Sequence, residues 1–406
     1  MISLLVTIFL DFLGFGIVLP IIAPVFLDQA HGVLPAGTPY AVRTSLLGLL
    51  IASFPFAQFF GAPVLGVISD KYGRKKVLMI SIAGTSLSLS LFAFGIASHS
   101  LAILFCSRLL NGLTGGNVST AQSAIADMSD PQSKAKNFGL IGMAFGLGFI
   151  LGPFFGGKLA DPDTVSWFNY STPFWCASVL SLANVGLIWV WFDETLRYPQ
   201  SDLRITFTGG IHYIRSAIAR PELRTIFGVV FLTMVGFTFF TQFFQVYVIT
   251  RFHYRQVDIG EMYAYIGIWI ALTQGVITRL LARKFPPVVV LRLSIFFLGV
   301  GFFCLLLPQH SLYLYFVLPI VSIAQGVTMP NTTALVSNAV TLQDQGEILG
   351  INQSVQSLAF ALPPVIAGII TAIDIRLPIL IASVFAFLAW LVFIVFYHLS
   401  EHKKRI

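Results

Sequence analysis

The chain has 406 residues, of which 56% are hydrophobic and only 10% are charged, and its mean hydropathy is +0.86. No water-soluble core of this size could hide so much apolar surface, so the composition points to an integral membrane protein. The formal net charge is +7, but the basic residues gather on alternate loops, which argues for a lipid bilayer and against a nucleic-acid partner.

Apolar runs near twenty residues, each long enough to cross about 30 Å of hydrocarbon, recur along the whole length. In chain order they predict spans at 2–27, 43–65, 77–97, 101–126, 137–160, 171–192, 224–249, 259–280, 288–307, 311–336, 346–372 and 377–399. The expectation is an all-α integral membrane protein with twelve transmembrane helices. The first span begins at Met1 with no basic leader and no small-residue cleavage site, so residue 1 is expected to belong to the mature protein.

Within the first span, Asp11 lies about ten residues in, roughly 15 Å along a helix axis. Charged groups at that depth cost at least about 2.5–3.5 kcal/mol, which makes them functional candidates by default. Arg108, seven or eight residues into the fourth span, is the second such group. The fifth span carries the decapeptide GFILGPFFGG, residues 148–157, where Gly and Pro survive because neighbouring helices pack closely in lipid. A packing seam without a moving role is the plainer account of that run.

Between spans two and three the loop reads GVISDKYGRKKVL, residues 66–78. Gly66 and Gly73 permit a tight reversal, Asp70 is a short acid just past a helix end, and Arg74, Lys75 and Lys76 anchor the turn among headgroups. Asp70 could accept hydrogen bonds from the exposed amides at another helix's start, and so act as a gate. The other basic loops lie at 127–137, 193–224 and 279–292 and in the tail, while the opposite face has only Arg43, Lys158, Arg251, Arg255 and Arg376. By the positive-inside rule both termini are expected on the cytoplasmic side.

The only long polar connection, residues 193–223, separates an amino-terminal bundle (1–192) from a carboxy-terminal one (224–406). Phe207, Ile211, Ile214 and Ile218 recur within it at helical intervals, consistent with an amphipathic helix on the inner leaflet. The halves echo each other: GVISD at 66–70 returns as GVITR at 275–279, and the same offset brings Pro153 close to Pro363–Pro364. Two pseudo-symmetric six-helix bundles are the architecture this predicts. Arg279 replaces Asp70 in the second copy, so any gate should be asymmetric.

Cys106, Cys176 and Cys304 sit in apolar segments without CxxC or Cys/His spacing, which fits core packing and neither a disulfide framework nor a metal site. There is no GxxxxGK[ST] run and no GxSxG or HExxH context, so neither ATP-driven transport nor a membrane hydrolase is supported, and no cofactor is expected.

Four of these segments together resemble the major facilitator superfamily, and in particular its twelve-helix drug:proton antiporter branch, which includes tetracycline exporters. GVISDKYGRKKVL is similar to the family's loop between helices two and three; RLLNGLTGG, residues 108–116, resembles its helix-four signature; GFILGPFFGG resembles the antiporter signature of helix five; DFLGFGIVLP, residues 11–20, resembles the opening of helix one. All four lie in the first half, and the second half matches loosely.

The resemblance implies a secondary transporter rather than an enzyme, working by alternating access on protons and a small-molecule substrate, as a monomer in a cell membrane, of a bacterial inner membrane by its short loops. It implies a cytoplasmic gate of Gly66, Asp70, Gly73, Arg74 and Lys75, with Arg74 paired to an acid ending helix four, where Asp127 stands. Proton coupling is expected at Asp11, with Arg108 tuning it or orienting a polar network with Asn111 and Asn117. In helix five, Gly148, Gly152, Pro153, Gly156 and Gly157 would allow bending or sliding. Helices one, four, seven and ten line the cavity in the family, and here they offer Phe15, Asn111, Gln122, Phe240, Gln242, Gln245, Gln325 and Asn331, a set suited to a bulky amphipathic compound. Three functions stay open: export of small amphipathic compounds, uptake of a metabolite, sugar or peptide-like solute by symport, and a non-transporting receptor or assembly role on the same scaffold.

Overall fold

The computed structural model describes residues 1–129, 134–196, 221–338 and 345–397. The amphipathic stretch predicted around Phe207–Ile218 lies outside them. Every regular element among the described residues is helical: α1 (Ile2–Leu27), α2 (Tyr40–Tyr72), α3 (Arg74–Ala97), α4 (Leu101–Thr114), α5 (Asn117–Asp127), α6 (Lys134–Leu159), α7 (Thr172–Trp191), α8 (Pro221–Phe252), α9 (Gln256–Leu272), α10 (Thr278–Lys284), α11 (Pro287–Cys304), α12 (Leu314–Asn338), α13 (Gln345–Ile370) and α14 (Leu377–Val392). Among the described residues, ten helices are long and apolar enough to cross a membrane, and Ser354–Ile370 adds a shorter apolar stretch. The remaining predicted span, the fourth, is divided into α4 and α5, so the elements are consistent with twelve crossings.

That division is the main departure from the expected spans. Gly115 and Gly116 interrupt the fourth span, and the carbonyls left without helical partners are satisfied from neighbouring helices. Gln58 on α2 donates to the Gly115 carbonyl at 3.0 Å, and the Ser81 hydroxyl on α3 donates to the Thr114 carbonyl. A broken helix survives at membrane depth only with such replacements. A second irregularity is a π-helical stretch, Thr273–Ile277, joining α9 to α10 within the GVIT echo.

The chain clusters into two compact units, Met1–Gly209 with Tyr254–Tyr265, and Gly210–His253 with Ile266–Ile406. The start of α9 thus groups with the first unit. In the first unit α1 packs on α6 and α7, α2 on α4, and α3 on both α4 and α7. Its core includes Leu4, Ile8, Leu78, Ile82, Ala121, Ile125 and Ile188, all essentially inaccessible. In the second unit α8 packs on α13 and α14, and α11 on α12 and α14. An aromatic stack holds its centre, with the fully buried Phe240 ring 4.8 Å from Phe244 and 5.2 Å from Phe302. Because lipid tails are as apolar as leucine, such contacts stabilise by dispersion and close fit rather than by hydrophobic transfer.

Candidate functional site

The glycines of α6 have a specific use. A Cβ on Gly148 would meet the Phe9 carbonyl, one on Gly152 the Leu13 carbonyl and one on Gly156 the Ile17 carbonyl, at 2.6–2.7 Å in each case. The four-residue step on α6 matches the four-residue step on α1, so the two backbones lie in contact along more than two turns. Gly16 on α1 faces Pro153 from the other side. Gly157 and Pro153 form a second seam, against Gln256, Val257 and Gly260 at the start of α9. That approach explains why Tyr254–Tyr265 groups with the first unit, and two ion pairs border it, Lys158–Glu261 at 2.9 Å and Arg255–Asp163 at 2.5 Å.

Asp11 lies on α1 outside the Phe9, Leu13 and Ile17 contacts with α6, and it turns to α5 instead. Its Oδ1 accepts a hydrogen bond from Asn117 Nδ2 at 2.5 Å, while Oδ2 is shielded from solvent and has no partner. Asn117 owes its position to the interrupted span: α5 restarts there, with Gly116 before it. The glycine pair that cuts the helix therefore also delivers the amide to the acid.

Arg108 is elsewhere. It is buried on α4, on the far side of the break, with its guanidinium carbon 4.9 Å from the centre of the Phe54 ring and its Nε unpartnered. It bonds neither Asn111 nor Asn117, and no carboxylate among the described residues lies within ion-pair distance. The expected network of Arg108, Asn111 and Asn117 is thus corrected to two separate groups, an Asp11–Asn117 pair and an Arg108–Phe54 stack. The aromatic face replaces a carboxylate as the cation's neighbour. Sequence spacing gave no sign of Phe54, which sits on α2.

The turn between α2 and α3 gathers several charged side chains. Arg74 is buried and ion-paired with Asp70 and with Asp127, whose Oδ2 lies 3.1 Å from Nε. Its Nη1 also donates to Ser69 Oγ at 2.6 Å. Gly73 ends α2 at φ +106°, ψ +147°, a conformation open to glycine alone. Gly66 lies within α2 with open space where a Cβ would be, so it is no part of the reversal. Glu194 was not anticipated. Just beyond α7, it accepts from the amides of Arg74 at 2.9 Å and Lys75 at 3.1 Å, capping the start of α3, and from Thr195 and Leu196. Burial raises its pKa, but these amide donors prevail and hold the carboxyl below its ordinary value. The acid two residues past a span in DETL was the available signal.

The residues proposed to line a cavity divide differently. Phe15, Asn111, Gln122 and Gln242 are half-buried, and Phe15 stands 6.5 Å from Phe54, near the Arg108 stack. Phe240 and Gln245 are fully enclosed within the second unit, which makes Phe240 a packing residue rather than an open wall. Gln245 donates to the Gln242 carbonyl and Asn331 to the Val327 carbonyl, each within its own helix. Gln325 is buried with Oε1 unpartnered.

Comparison with known proteins places this arrangement. The model of the Major Facilitator Superfamily matches residues 4–362 and 281–406. The tetracycline resistance protein, class C, of Escherichia coli is 27% identical over 392 residues, covering 97% of this chain and 93% of that protein. The quinolone resistance protein NorA of Staphylococcus aureus (strain COL) is 27% identical over 380 residues, covering 92% and 90%. Among solved structures, the human organic anion transporter MFSD10 (TETRAN) superposes with a TM-score of 0.73 at 24% identity, covering 97% of this chain and 98% of that one, which speaks to the fold. With its interrupted fourth span, glycine seam and charged α2–α3 turn, the chain belongs to the major facilitator superfamily of membrane transporters, and within it resembles the drug:proton antiporter branch.

Proposed function

We propose that this transporter exports small amphipathic compounds in exchange for protons, with Asp11 as the proton-carrying group. The observation that carries the reading is the Asp11 carboxylate, one oxygen held by Asn117 and the other shielded with no partner. A group that gains and loses charge inside a bilayer couples proton binding to whatever competes for the same surroundings. Asn117 fixes the carboxylate's orientation without neutralising it, and Arg108 adds a fixed positive charge that an amphipathic cation must contend with. The relatives named for tetracycline, quinolone and multidrug resistance support the substrate class and the outward direction. Alternating access would act on Asp11 through α1, whose seam with α6 lets the two helices move as one piece or slide by small steps. Both termini are proposed to be cytoplasmic from the alternate basic loops, and the membrane to be a bacterial inner one.

Asp11→Asn keeps the shape and the Asn117 contact while removing the charge. In proteoliposomes with an imposed proton gradient, uphill movement of tetracycline and of a fluoroquinolone should fall to background, while gradient-free counterflow persists. Uphill movement at the native rate in this variant overturns the assignment of Asp11. Accumulation only in the direction of proton flow, rather than against it, overturns export.

A further inference from the structure

At one end of the second unit, α10, α11 and α12 enclose an open groove of about 350 Å³, within the range of ligand pockets. Its walls are hydrocarbon: Phe285 at the turn, Leu293 and Phe297 along α11, and Ala324 on α12 at the floor. Phe285, Leu293 and Phe297 are about half exposed, so the groove opens sideways, toward lipid. Its one polar side chain is already spent, since the Ser294 hydroxyl donates to the Leu291 carbonyl and accepts from Thr328 at 2.8 Å. No group remains to orient a polar solute. The occupant must be apolar along its length.

The chain beside these lining residues is strongly basic: Arg279, Arg283 and Lys284 are sequence neighbours of Leu281 and Phe285 on α10, and Arg292 precedes Leu293. All four are exposed and, among the described residues, none has a carboxylate within ion-pair distance. Hydrocarbon walls next to a basic stretch at the end of a span match one chemistry, an acyl chain under an anionic headgroup. We propose that this groove is a binding site for an anionic glycerophospholipid of the leaflet on that side, one chain lying between α11 and α12 and the phosphate resting on Arg283 and Lys284. A zwitterionic lipid would bring its own ammonium against the same cations.

Native mass spectrometry of the full chain in detergent, titrated with phosphatidylglycerol and separately with phosphatidylcholine, tests this. The native protein should retain phosphatidylglycerol selectively. Arg283→Gln with Lys284→Gln, a surface change that leaves the helices intact, should weaken that retention roughly 10- to 30-fold. Ala324→Leu fills the floor and should reduce it as well, while glycerol 1-phosphate, which lacks chains, should not displace the lipid. Equal retention of both lipids, an unchanged affinity in the charge variant, or displacement by glycerol 1-phosphate overturns the proposal. So does a dimer that dissociates on Ala324→Leu, because the groove would then hold a second copy of the chain.

Discussion

The turn from α2 to α3 and the turn from α10 to α11 occupy corresponding places in the two halves and begin from the same echo, GVISD against GVITR. The first reverses on Gly73 at φ +106°, while the second passes through Phe285 at φ −132° and Pro286 at φ −66°, which any residue of ordinary handedness can adopt. In the first, Arg74 is buried between Asp70 and Asp127, and Glu194 reaches in from beyond α7 to hold the amides of α3. In the second, where Arg279 stands for the acid, the basic residues lie exposed without a carboxylate partner among the described residues. One repeat thus yields a knot of charge that ties α2, α3, α5 and the segment after α7. The other leaves its charge to the bilayer surface. The acid at Asp70, together with Asp127 and Glu194, is what lets the first turn bury its arginine, since removing the partners of a buried ion pair is costly.

The comparison breaks most directly at Arg74. Arg74→Ala leaves Asp70 and Asp127 facing each other with no cation, and should destabilise by about 2–4 kcal/mol, toward the lower end because both acids are partly exposed. Arg279→Ala should stay within about 0.5 kcal/mol. Thermal unfolding of the two variants in detergent checks this, and equal losses would show that the two turns are energetically alike. Arg74→Lys should recover little, since one ammonium cannot serve Asp70, Asp127 and Ser69 in the fork geometry seen here.

Gly73 gives the next largest effect. Its φ and ψ lie in a region essentially closed to side chains, and an added Cβ would also collide with the Glu194 carboxylate. Gly73→Ala should cost about 1–3 kcal/mol. Gly73→Asn should be no better, because asparagine relieves the left-handed helical region and not this extended one. A midpoint for Gly73→Asn close to native would mean that the turn relaxes to an ordinary conformation, as the Phe285 turn already does.

How much of this was legible follows from what each signal measures. Hydropathy sees transfer into lipid, so the spans stood out, and the glycine-rich run 148–157 marked α6 as close-packed without showing which face meets α1. Hydropathy does not see where backbone hydrogen bonds are cut, so the fourth span looked continuous through Gly115–Gly116 although α4 stops at Thr114. The resemblance carried the Arg74–Asp127 pair correctly because it rests on a local motif. It carried Arg108 less well, since the cation's partner, Phe54, lies on another helix and is aromatic in a chain with 39 phenylalanines. Phe240 was misjudged for the same reason: an abundant residue type says nothing about which face of its helix is enclosed. Glu194 showed in the sequence only as an acid just past a span, because the Arg74 and Lys75 amides it caps lie about 120 residues away.

Glu194 also supplies the smallest and most discriminating difference between the two turns. Its carboxylate caps α3 by accepting from the Arg74 and Lys75 amides, so Glu194→Gln, which retains one acceptor but no charge, should cost about 0.5–1 kcal/mol at pH 7. Because its folded-state pKa is depressed, the contribution is fully present above the ordinary glutamate value of about 4.3 and is lost as pH falls through the lower folded value. The gap in thermal midpoint between the native protein and Glu194→Gln should therefore hold from pH 7 to about pH 5 and close below about pH 4. Arg283→Gln with Lys284→Gln, at the turn that has no acid, should show no such closing over the same range. A gap for Glu194→Gln that is independent of pH would mean that the cap works by shape alone, and that charge is not what separates the first turn from the second.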